Sequence, residues 1–231
     1  MDMENSRDLY NYLAKNYDIR QQNPSTSLLR EKEKSLIKKY SKGLVLDLGC
    51  GTGYHLDLSE NIIGLDISEK QLSIAKMKKK PLIQGDIQQI PIKIASLNTV
   101  LCFYSTLNFV DIAKSSKEVF RILKKGGLTI ISITSVSDID KKGLTKKRNF
   151  KKFRLEGKKI SMQLFNKTEI INCFENLGFK LIKFDSLFRL QKPRWGNFQR
   201  FSLTEKFKLK IDKLFPMEWG NFYLFVFEKQ D

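Results

Sequence analysis

The chain has 231 residues, with 42 Lys and Arg against 25 Asp and Glu for a formal charge of +17, a size that suits one domain (1–231) with a single core. No stretch reaches the roughly 18 to 20 apolar residues of a membrane span and the N-terminus lacks an apolar leader, so a cytoplasmic protein without membrane contact is expected. Three unpatterned cysteines (Cys50, Cys102, Cys173) and a single histidine, His55, exclude a disulfide framework, a histidine-cluster metal site and any catalytic arrangement that needs two histidines.

In chain order, residues 1–40 read as an amphipathic helical cap that carries the pair Tyr17-Asp18. Leu44 to Leu48 is a run of branched apolar residues, which reads as a parallel strand buried on both faces. It runs into a turn holding Gly49, Gly51 and Gly53, where bare backbone can approach a ligand closely. Asn61 to Asp66 is a second short strand, and its terminal acid lies where a Rossmann-like unit holds ribose hydroxyls. Further along come the segments Pro81 to Ile87, Leu97 to Tyr104, Ser116 to Lys125 and Gly126 to Ile133.

The next segment, 138–160, reads as a basic flap, with ten basic residues against Glu156 between Lys141 and Lys159 and with Phe150 and Phe153 interleaved. Either it is a solvated lysine-rich loop or it holds an anionic substrate. Thr168 to Gly178 is an amphipathic helix, capped by Asn166 or Thr168 and stopped by Gly178. Phe179 to Asp185 and Asn221 to Glu228 complete the strands. Between them lies an insertion, 187–220, whose aromatics alternate with basic residues and read as an apolar cap or a base-stacking surface.

The glycine spacing is G-x-G-x-G, one residue short of the dinucleotide pattern, and Asp47 would sit uncomfortably close to a pyrophosphate. A ligand that presents an ammonium and a sulfonium tolerates that acid. Asp47-Leu-Gly-Cys-Gly-Thr-Gly53 followed by Gly64-Leu-Asp-Ile-Ser68 resembles class I methyltransferases that use S-adenosylmethionine (SAM), and the likeness runs through the first two-thirds of the chain. It implies an α/β fold, a Rossmann-like doubly wound seven-stranded sheet, mostly parallel with an antiparallel last strand, in which Pro81 to Ile87 is the third strand with its following acid Asp86, Leu97 to Tyr104 the fourth, Ser116 to Lys125 the helix after it and Gly126 to Ile133 the fifth strand.

The resemblance further implies a cofactor site built from Tyr17, Asp47, Gly49, Cys50, Gly51, Gly53, Asp66, Ile67, Asp86, Ile87 and Phe103. Asp86 would meet the adenine amino group, and Tyr17 would cover the ligand. At the end of the fourth strand, Tyr104, Ser105, Thr106 and Asn108 are the acceptor-side candidates, able to orient an acceptor by hydrogen bonds. The Asn/Asp-Pro-Pro-Tyr/Phe motif of enzymes that methylate nucleic-acid amino groups is absent. The main expectation is methyl transfer to an N or O nucleophile of a small molecule. RNA (tRNA) held by the basic segments is the alternative acceptor, and a non-catalytic subunit that activates a partner is the third reading.

Overall fold

The computed structural model describes residues 3–136, 150–155, 158–190, 200–214, 217 and 220–230. Three helices open the chain: α1 (Met3–Leu13), α2 (Tyr17–Arg20) and α3 (Pro24–Tyr40). The last begins at Pro24 because Asn23 caps it, accepting from the Thr26 amide at 3.0 Å while proline occupies a position that needs no N–H donor.

Five parallel strands follow: β1 (Val45–Leu48), β2 (Ile62–Asp66), β3 (Leu82–Gln84), β4 (Leu97–Cys102) and β5 (Leu123–Thr134). Helices α4 (Glu69–Ala75) and α5 (Ile112–Ile122) connect them. A hairpin, β6 (Phe150–Leu155) and β7 (Lys158–Gln163), precedes α6 (Lys167–Glu175), β8 (Phe179–Leu187), α7 (Leu203–Ile211) and β9 (Phe222–Lys229). The main sheet has seven strands in the order β3-β2-β1-β4-β5-β9-β8, and β9 runs antiparallel to both of its neighbours. This is the expected doubly wound sheet with an antiparallel last strand.

Alternation along the strands sends side chains to two cores. Leu46 and Leu48 of β1 and Val100 and Cys102 of β4 face the layer of α5 and α6. Val45, Leu101 and Phe103 face the layer of α3 and α4, where Ile37, Leu72 and Ala75 meet them. On the first side Phe174 and Phe227 stack with ring centres 4.7 Å apart, so α6 is fixed by aromatic packing on β9. No helix among the described residues is long and apolar enough to cross a membrane.

Three boundaries differ from the sequence expectation. The helix expected over Ser116–Lys125 starts earlier, where the Asp111 carboxylate accepts from the Ala113 and Lys114 amides, and it ends at Ile122. The Leu123-Lys-Lys-Gly-Gly127 segment is therefore the start of β5, with Leu123 already extended and paired to Leu97, so the fifth strand begins before the expected Gly126. Part of the expected flap is the β6–β7 hairpin; residues 137–149, 156 and 157 lie outside the described residues, as do Trp195, Phe198, Phe215 and Trp219 of the expected insertion. Asn166, not Thr168, caps α6, in a reciprocal box with Glu169.

Candidate active site

At the carboxyl ends of the parallel strands, where the strand order reverses on either side of β1, α1 and α2 lie over a cavity of about 90 Å³. Its walls include Tyr17, Gly49, Gly51, Asp66, Ile67, Asp86 and Ile87 of the expected cofactor set, and Tyr104 and Thr106 of the expected acceptor set. Tyr10, Gln71, Phe109 and Val110 join them and were not anticipated. Tyr10 lies seven residues before Tyr17, a helical repeat that was available as a signal. Nothing local in the sequence marks Gln71, Phe109 or Val110.

The remaining candidates stand behind the wall. Cys50 and Phe103 are buried in the core on the α3 and α4 side, Phe103 with its ring 4.8 Å from that of His55. Gly53 is buried against Leu56 and Ala75. Asn108 is 2% exposed and spends its amide on the fold, donating to the carbonyls of Thr134 at 2.9 Å and Gln163 at 2.5 Å and accepting from the Thr134 amide at 3.0 Å. It pins the hairpin to β5. Ser105 is likewise turned inward, its hydroxyl 2.5 Å from that of Thr134. Asn108→Ala should leave buried backbone groups unpaired and destabilise the fold by about 2 to 4 kcal/mol, read as a shifted denaturant midpoint; an unshifted midpoint would refute this structural role.

Two glycines of the loop do different work. Gly49 has φ +70°, and a methyl group there would lie 2.6 Å from the Thr106 side chain, so the turn and the segment after β4 fit only without it. Gly51 has φ +54°, and a methyl group there would meet nothing closer than 3.6 Å, the Gln71 carbonyl, pointing into the space between Gln71 and Tyr17. Gly49→Ala should therefore lower the melting temperature markedly. Gly51→Ala should cost only about 1 kcal/mol of stability, the strain of its backbone, but weaken ligand binding at least tenfold. Equal effects of the two on stability would remove the distinction.

Asp66 closes β2 and is 8% exposed. Its Oδ2 accepts from the Gly51 amide and its Oδ1 from the Ser68 amide, both at 2.8 Å. Burial raises its pKa from the usual carboxylate value, and these amides oppose the rise. Gln71 is 1% exposed, and among the described residues neither atom of its side-chain amide has a hydrogen-bond partner. A buried amide without a protein partner in a cavity wall is free to meet a polar ligand.

Beneath the loop lies a charged cluster. Asp47 (1% exposed) and Glu33 of α3 (fully buried) flank His55, whose Nδ1 is 3.9 Å from Asp47 Oδ2 and whose Nε2 is 3.2 Å from Glu33 Oε2. Burial alone would lower the His55 pKa, but the Glu33 and Asp47 carboxylates outweigh it and hold it above the ordinary 6.5. Burial pushes Asp47 up to about 7, with His55 opposing and Glu33 and Asp66 adding to the rise. Ser132 donates to the other Glu33 oxygen and accepts from the Tyr104 amide at 2.8 Å, which carries the network to the cavity wall. Tyr104 and Ser105 both have positive φ, 55° and 67°, a strained pair where β4 meets the cavity. The Tyr104 hydroxyl is bonded to Thr26 at 2.9 Å and to Gln21.

The cover is tied down by polar contacts. Thr52 of the loop donates to Asp18 at 2.7 Å, Ser68 donates to Asn11 at 2.7 Å, and Arg7 pairs with Glu69 at 3.3 Å. Tyr10 contacts Tyr17 and Phe109 edge to face.

Residues 46–131 match the methyltransferase domain family. An uncharacterized protein of Methanocaldococcus jannaschii, MJ1252, is 31% identical over 197 residues, 76% of each chain. The demethylmenaquinone methyltransferase of Lactococcus lactis is 39% identical over 105 residues, 39% of this chain and 42% of that one. The chain belongs to the class I SAM-dependent methyltransferases. Solved structures of such methyltransferases share its fold. One from Thermotoga maritima superposes with a TM-score of 0.67 at 20% identity, covering 96% of this chain and 99% of that one. A methyltransferase in complex with the Haloferax volcanii Trm112 methyltransferase activator gives 0.65 at 16% identity, covering 96% and 98%. SAM is thus the methyltransferase's cofactor, and the cavity suits its chemistry: carboxylates for hydroxyl and amino groups, an unpartnered amide, and a glycine that leaves room beside it.

Proposed function

We propose that this methyltransferase transfers the methyl group of SAM to a nitrogen or oxygen of a compact small molecule placed beside Tyr104. The supporting observation is the cover: α1 and α2 are fastened to the glycine loop and to α4 and lie over the cavity, which favours a compact acceptor over a polymer. In this reading Asp66 and Asp86 hold the ribose and adenine, Gly51 and Gln71 border the methionine part, and Tyr17 lies over it.

SAM supplies an electrophilic methyl group when bound. The chain's own residues then have to place the nucleophile in line and keep water out. The Tyr104 phenol, pushed by burial up to about 12 and bonded to Gln21 and Thr26, keeps its proton at neutral pH and borders the acceptor rather than serving as a base. The carboxylates of the cavity wall, Asp66 and Asp86, belong to the cofactor end. A neutral nitrogen attacks unaided, so an amine or ring nitrogen fits this wall better than an alcohol.

The test is incubation with methyl-labelled SAM and, separately, a small-molecule extract and total RNA of the source cell. Label in the small-molecule fraction is expected; label confined to RNA would sink the reading in favour of the basic segments. The complex with the Trm112 activator favours a second reading, in which a partner subunit switches activity on. Intact SAM binding with no turnover until such a subunit is added would support it.

A further inference from the structure

The outer face of α7 breaks the pattern of the surface. Leu203 is 84% exposed, Phe207 61% and Leu214 81%. Leu203 and Phe207 are four residues apart and Lys210 follows three later, so the three share one face of the helix, and Leu214 extends beyond it at the end of a 3-10 turn. Lys206, Lys208, Lys210 and Lys213 are all exposed around these apolar groups. The two acids of the segment are turned to internal use. Glu205 accepts from the Ser202 amide at 2.7 Å in a capping box. Asp212 is 6% exposed and accepts from the Arg189 and Leu190 amides at 2.7 and 3.1 Å. The charges left to face outward are lysines.

We propose that α7 docks the methyltransferase on the surface of a bilayer containing anionic phospholipid. Leu203, Phe207 and Leu214 reach the boundary between headgroups and acyl chains, and the surrounding lysines meet the phosphates. This is contact with a membrane surface, not passage through it. A single-stranded nucleic acid fits less well, because two of the three protruding side chains are aliphatic and offer no ring for a base to stack on. A second copy also fits less well, since a two-fold contact would set the same lysines against each other. On its inner side α7 packs through Leu209 onto the cluster of Leu29, Leu187, Phe188 and Phe222, against which Tyr104 also packs. Docking at α7 therefore acts on an element that shares its packing cluster with Tyr104 of the cavity wall.

The experiment is flotation of the full chain with phosphatidylcholine vesicles and with vesicles of phosphatidylcholine mixed with phosphatidylglycerol. The chain is expected to float with the mixed vesicles and not with the neutral ones. Leu203→Ser combined with Phe207→Ser, and separately Lys206→Glu combined with Lys210→Glu, should each lower partition about tenfold or more. SAM affinity and melting temperature, read in parallel, should stay at the parent values, since none of these side chains lines the cavity. Absence of flotation, or variants that float like the parent, would overturn the proposal. So would loss with the lysine variant alone, which marks a polyanion surface such as one for RNA, or a lipid-free dimer that Phe207→Ser dissociates.

Discussion

Asp66→Ala is expected to weaken SAM binding roughly ten- to a hundredfold while leaving the sheet in place. The carboxylate is held by the Gly51 and Ser68 amides at the mouth of the cavity, so it reaches a ligand already oriented. A hydrogen bond to a charged group contributes about 1.5 to 3 kcal/mol, and each 1.4 kcal/mol is a factor of ten in the dissociation constant. The substitution also removes the acceptor of the Gly51 amide, so the glycine loop loosens and melting should occur at a lower temperature. Asp66→Asn keeps an oxygen for one amide but loses the charge, and it should fall between parent and alanine variant. Calorimetric titration with SAM decides the matter. Parent-like affinity for the alanine variant would remove Asp66 from the cofactor site.

His55→Leu should be the most destabilising single change near the site. It removes the imidazole that stands between Glu33 and Asp47 and leaves two carboxylates in the core. Breaking a buried charge pair costs about 3 to 5 kcal/mol, against a typical total of about 5 to 15 kcal/mol. Neutralising the acids as well, with Glu33→Gln and Asp47→Asn, should recover part of the loss. No recovery would mean that the cost is packing against Phe103 and Tyr54 rather than charge.

The same cluster predicts a pH dependence. Asp47 has its pKa raised from 3.8 to about 7, so over that interval the folded protein holds a proton that the unfolded chain has released. Stability from this group falls as pH rises across the interval and levels off above it. His55, raised above 6.5, adds a loss that begins near 6.5 and continues through its folded value. Thermal melts of the parent and of Asp47→Asn should therefore diverge least in mild acid and most at and above neutrality, with the variant flatter. A parent curve no steeper than that of the variant would contradict a shared proton in this cluster.

What could be read from the sequence was local. The branched run before Gly49 and the short strand ending in Asp66 declare themselves because burial on both faces demands continuous apolar residues and the turn demands glycine. The β6–β7 hairpin did not, since Phe150-Lys-Lys-Phe-Arg-Leu155 lacks the period-two alternation of a half-buried strand and its charges dominate. Ser105 and Asn108 looked like ligands for an acceptor because their polarity was visible and their partners on β5 and β7 were not. The Glu33–His55–Asp47 cluster joins positions 8 to 22 apart through the packing of α3 on the sheet, which no spacing in the chain announces. Cys50 and Phe103 flank cavity residues along the chain, but the turn and the strand alternation send them the other way.

The position of β9 has a consequence for biosynthesis. It lies between β5 and β8, and Phe222 to Phe227 are at most 2% exposed. Until these residues leave the ribosome, β5 has one open edge, β8 has no neighbour in the sheet, and the apolar faces meant for β9 remain wet. Nascent chains would have to wait in that state, with unpaired strand edges that invite association between chains. The sheet is completed only after synthesis has passed residue 229, so its central edges are the last to be covered.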